Sequence, residues 1–177
     1  MPKKTSVPIG SRIADLIPGS YFYDAWQVQV SQSHLSALEH FLKAAKETPR
    51  WVNVCMSIRN RVVGLFGLKN LGNLDDVTTI RSADTYKAGD RVGIFTLYEN
   101  TFDEVLLGDK DKHLDVTLSV HRSVINERVF ITITTVVKVH NALGKIYMIT
   151  LTPMHRIIVP SVLKTIAPSV AMDTEKS

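Results

Sequence analysis

Between His113 and His121 apolar and polar residues alternate without a break. Leu114, Val116, Leu118 and Val120 fall on one face of an extended segment; Asp115, Thr117, Ser119 and His121 fall on the other. Successive side chains of a strand point to opposite faces. The segment therefore carries one wholly apolar face, which some other element must cover. It lies within a run of strand-like stretches at residues 91–99, 103–107, 113–121, 128–140 and 145–151. The turns between them are short: Asn100-Thr101, residues 108–111, Asn126-Glu127 and residues 141–144. Links of that length join antiparallel neighbours, because a parallel pair needs a crossover of about a dozen residues or more.

The first half of the chain supplies helices. Residues 21–30 read as a strand in which Trp26, Val28 and Val30 alternate with Gln27 and Gln29. Ser31 or Ser33 is a candidate cap for a helix reaching Lys46, with Leu35, Leu38, Phe41, Leu42 and Ala45 on one stripe. Thr48-Pro49 has the signature of a second helix start, since proline at the first helical position loses no hydrogen bond. Trp51, Val54, Cys55, Ile58, Val62 and Leu65 are its expected buried side. Residues 70–90 read as a long connection. At the far end, Thr152-Pro153 repeats the start signature and predicts a C-terminal helix bearing Met154, Ile157, Ile158, Val162 and Ile166, with Pro160 kinking it.

One strand, two helices, a run of antiparallel strands and a last helix make an α+β plan, that of a helix-grip fold in which a curved antiparallel sheet wraps around a C-terminal helix. The expected division is an irregular N-terminal arm over residues 1–14, a single domain over 15–168 and a flexible tail over 169–177. At 177 residues the domain is large enough to be stable without disulfide or metal. The lone Cys55 predicts no internal disulfide and suits a reducing, cytoplasmic compartment. No stretch approaches the ~18 uninterrupted apolar residues of a membrane span. The net charge of +4 lacks the basic stripe and stacking aromatics of a nucleic-acid binder, so no nucleic-acid partner is expected.

Several motifs carry a resemblance. They are Trp51 followed by Ile58-Arg59-Asn60-Arg61, then Gly67-Leu68-Lys69. Farther on come Leu107-Gly108 with Asp111-Lys112-His113-Leu114-Asp115, His140-Asn141-Ala142-Leu143-Gly144-Lys145, and Pro153-Met154-His155-Arg156. Together they resemble a family of bacterial domains known only as a domain of unknown function, over roughly residues 15–167. That family is similar to the START-like helix-grip superfamily. Some of its members are joined to short-chain-dehydrogenase-like domains, which implies a small-molecule setting and an oxidoreductase as partner.

The residues themselves carry no catalytic signature. His113 and His121 share a strand face but stand roughly 26 Å apart, so they cannot share a metal. There is no nucleophile elbow and no phosphate-binding glycine pattern, and no cofactor is expected. Two readings remain. The first is a binding module for a hydrophobic or amphipathic small molecule, held between Val116, Leu118, Ile131 and Ile133 of the sheet and Met154, Ile158 and Val162 of the helix. His155 and Arg61 are its expected polar anchors. The second is an enzyme of the same fold with His155, His113 or Asp115 as acid or base.

Overall fold

The computed structural model describes residues 1–65 and 82–168, the side chains of 58–65 excepted. Among the described residues a curved antiparallel sheet of seven strands forms the body, with β1 Lys3–Lys4, β2 Phe22–Val30, β3 Arg91–Val92, β4 Phe95–Asn100, β5 Glu104–Lys110, β6 Leu114–Ile125 and β7 Arg128–Val139. Their order in space is β1-β2-β7-β6-β5-β4-β3. Three helices accompany the sheet: α1 Ala37–Lys46, α2 Arg50–Leu65 and α3 Ala142–Thr165. This is the α+β helix-grip arrangement. From β3 to β7 each strand pairs with its neighbour in sequence; only β2 with β7 joins distant segments, Phe22 opposite Val137 through to Val30 opposite Val129.

Register decides which side chains face inward. Val28 lies opposite Ile131, Trp26 opposite Ile133 and Asp24 opposite Thr135. On the next pair Leu118 faces Thr135, Val120 faces Ile133 and Val116 faces Val137. Period two then puts Leu114, Val116, Leu118 and Val120 on one face with Ile131 and Ile133. Leu38, Phe41, Leu107, Ile131 and Leu163 meet in the main core on that side. The opposite face is covered by a 3-10 turn at Arg12–Leu16, which buries Ile13 completely. Glu104 holds that turn down: it accepts from Ser11 Oγ at 2.5 Å, Ser119 Oγ at 2.6 Å and the Arg12 amide at 3.0 Å. Residues 1–14 are thus not an irregular arm, since β1 extends the sheet and this turn seals its back.

Several local expectations are corrected. Ser36, not Ser31 or Ser33, caps α1, in a reciprocal capping box with Glu39. Thr48 donates its hydroxyl to the Ala44 carbonyl of α1. On α2 the buried side is turned: Val52 is fully buried, whereas Trp51 and Val54 are exposed. Ile58, Val62 and Leu65 lie outside the described side chains. Gly108 and Asp109 form no turn; they belong to β5, where Gly108 pairs with Thr117. A Cβ there would stand 2.5 Å from the Tyr98 ring and 2.6 Å from the Val116 carbonyl oxygen, so the close approach demands glycine. The Asn126-Glu127 turn is as expected, with both residues at positive φ.

The largest correction concerns residues 141–153. No hairpin and no last strand occur there. Asn141 is the N-cap of α3, its side chain accepting from the Gly144 amide at 3.1 Å. The helix then runs unbroken through Thr152-Pro153 and Pro160 to Thr165. Thr152 donates to the Met148 carbonyl inside the helix rather than starting one. A helix of 24 residues is, by length and composition, long and apolar enough to cross a membrane. Here it packs against β2, β7 and α1. Gly144, Met148, Val159 and Leu163 are buried, while Ile146, Ile149 and Ile157 are exposed.

Candidate functional site

A cavity of about 190 Å³ lies between the inner sheet face and α3. Its walls are mostly apolar. Leu114, Val116, Leu118 and Ile133 come from the sheet; Leu151, Met154, Ile158, Val159 and Val162 come from the helix; Phe41, Phe95 and Met56 close the ends. α3 is anchored to the body of the domain near its two ends. Gly144 sits against the His113 carbonyl, Leu163 is buried in the main core, and the stretch between them spans the sheet. A dry void of roughly 150 Å³ already accepts a benzene-sized molecule.

The polar groups on this surface are few. His155 projects from the middle of α3, not from its first turn. Its Nε2 donates to Asp24 Oδ1 at 3.0 Å. The second carboxylate oxygen of Asp24 accepts from Trp26 Nε1, also at 3.0 Å. Phe22 meets the His155 ring edge-on, with centroids 5.7 Å apart. Phe22, Asp24 and Trp26 are alternate residues of β2, so one inward strand face supplies the carboxylate, its second donor and the ring packing. The Asp24 side chain is 3% exposed and that of His155 19%. Burial alone raises the Asp24 pKa. The His155 hydrogen bond and charge, helped by Trp26 and Lys4, outweigh it and hold the carboxyl below the usual carboxylate value.

Thr135 stands opposite Asp24 in the β2–β7 register and also lines the cavity. It is 3% exposed and its hydroxyl has no hydrogen-bond partner. A buried hydroxyl left unpaired costs about 1–3 kcal/mol. Asp109, Asp111 and Tyr147 also line the cavity, and Arg91 Nη1 lies 3.5 Å from Asp109.

The expected site residues divide accordingly. Val116, Leu118, Ile133, Met154, His155 and Ile158 all line the cavity. Ile131 is fully buried in the main core and is not among the lining residues. Arg61 lies outside the described side chains. His113 and Asp115 are kept apart from the cavity and from each other: His113 Nδ1 meets Asn141 at 3.2 Å, and Asp115 pairs with His140 at 3.1 Å. No group of three or more His, Cys, Asp or Glu suited to a metal occurs among the described residues, and Cys55 is a free thiol. Asp24 and Thr135 were not expected at the site. The signal for Asp24 was available: carrying the alternation of Trp26, Val28 and Val30 two steps back puts a carboxylate on an apolar face, where it needs a partner.

Comparison with known proteins gives one match. A family described as a protein of unknown function (DUF2867) covers residues 16–162 of the chain. No curated protein and no solved structure matches it.

Proposed function

This chain belongs to the DUF2867 family, and we propose that it binds a hydrophobic or amphipathic small molecule in the cavity between its sheet and α3. One observation carries the reading: a mostly apolar cavity between sheet and helix, with His155, itself paired to Asp24, among its few polar lining residues. Such walls provide affinity, and a few placed polar groups provide orientation. A ligand burying about 200 Å² of apolar surface would gain roughly 5 kcal/mol before ordering costs. The helix-grip arrangement supports the same reading, since a grip around a helix leaves a cavity of this kind. Native mass spectrometry of freshly purified protein should show a small molecule bound one to one and released on denaturation. Val116→Trp, which fills the cavity, should purify folded and empty. A wild-type chain with no adduct and no thermal shift from a panel of apolar compounds contradicts the proposal.

A second reading has its own support. In the pair, a buried carboxylate orients the histidine through Nε2, which leaves Nδ1 as the ring nitrogen that could accept a proton. That is the arrangement of a general base with its orienting partner. Asp24→Asn then separates the readings: a binding module keeps its ligand affinity within a few fold, whereas an enzyme of this design loses turnover by about two orders of magnitude or more.

A further inference from the structure

The outward face of α3 is both apolar and cationic. Ile146, Ile149 and Ile157 are 62%, 72% and 60% exposed, and Pro153 among them is exposed as well. From Ile146 through Ile149 and Pro153 to Ile157 the intervals are three, four and four residues, which a helix of 3.6 residues per turn brings onto a single line. The cavity walls Leu151, Met154, Ile158 and Val162 belong to the other side of the same helix. A helix on a globular domain ordinarily turns polar residues to water. Contiguous exposed apolar surface marks instead a docking face for protein or membrane.

Charge selects between them. Between Glu127 and Asp173 the chain has no Asp or Glu, whereas Arg128, Lys138, Lys145, Arg156 and Lys164 all carry positive charge. Lys145, Arg156 and Lys164 are exposed on α3 itself, beside the isoleucine line. Asp24 beneath the helix and Asp115 near its start are paired with His155 and His140, and Asp109 and Asp111 belong to the cavity side. A second copy of this face would bring the same cations and no acid. Nucleic acid would engage the cations and leave the isoleucines in water. A bilayer with anionic lipid satisfies both, because isoleucine side chains enter the acyl boundary while Lys and Arg reach the headgroup phosphates.

We propose that the outward face of α3 docks on an anionic membrane surface, with the helix flat in the interface and the sheet and cavity behind it. The proposal goes beyond the cavity reading and does not depend on it.

Co-sedimentation of the full chain with vesicles tests it, using phosphatidylcholine alone and phosphatidylcholine with phosphatidylserine at roughly 3:1. The mixed vesicles should bind at least about tenfold more tightly than the neutral ones, and about 0.5 M salt should remove most of that difference. Ile149→Gln combined with Ile157→Gln alters exposed side chains only, so this variant should unfold at the wild-type temperature. Its binding to mixed vesicles should be weaker by about tenfold or more. Lys145→Gln combined with Arg156→Gln should lose about as much on mixed vesicles and nothing on neutral ones. Val116→Trp, on the cavity side, should bind vesicles as wild type does, which keeps this result separate from the cavity reading. No binding to either vesicle, equal binding to both, or an isoleucine variant that binds like wild type overturns the proposal. A dimer in analytical ultracentrifugation that the isoleucine variant splits assigns the face to a second copy and overturns it too.

Discussion

His40 lies on the buried side of α1 with 1% of its surface exposed, and neither ring nitrogen has a formed hydrogen bond. Burial pushes its pKa down to about 4 from 6.5; the Gln32 backbone works partly against the shift, while Arg122 and Lys43 add to it. The unfolded chain therefore takes up a proton at higher pH than the folded one. Stability should fall as pH drops from about 6.5 towards 4, by up to about 3 kcal/mol over the window. Urea unfolding at a series of pH values checks this against His40→Leu, whose curve should lack that component. Identical pH dependence in the two proteins would show that His40 is not held neutral. Asp24 is the opposite, compensated case: its position in the strand pattern was legible, but its partner His155 is 131 residues away and only the fold brings them together.

At the scale of elements, the β-rich half could be read directly. The alternation at Leu114–Val120 and the Asn126-Glu127 turn translate into β6, its hairpin and β7 because each needs only local geometry. Residues 141–153 could not be read that way. Asn141 and Gly144 suit a turn, and Ile146, Tyr147, Ile149 and Thr150 favour strands. Packing overrides that preference. Gly144, Met148, His155, Val159 and Leu163 recur at helical spacing, and this stripe is what meets the sheet. The corner before α3 is tight: a Cβ at Gly144 would run into the His113 carbonyl and crowd Val139. Gly144→Ala should therefore lower stability, by about 1–3 kcal/mol, despite alanine's better helix propensity. Thermal denaturation is the check; a variant as stable as wild type, or more so, would mean that the corner has room to relax.

For the whole molecule, the helix-grip plan followed from counting elements, and the sheet order adds what counting could not. Pairing of β2 with β7 sets Asp24 opposite Thr135 and within reach of His155, whose ring lines the cavity. Five sheet and helix positions expected to face a ligand, Val116, Leu118, Ile133, Met154 and Ile158, line it. Ile131 is spent on the core instead, in the cluster with Leu38, Phe41 and Leu163. The central claim is that this space accepts an apolar molecule. The direct test is a fluorescence titration with N-phenylnaphthylamine, an uncharged dye that brightens in apolar surroundings. Wild-type protein should show one saturable site, and Val116→Trp should lose it while unfolding at a similar temperature. A linear, unsaturable response, or equal binding by Val116→Trp, would contradict the claim and place the dye on exposed apolar surface such as Ile146, Ile149 and Ile157.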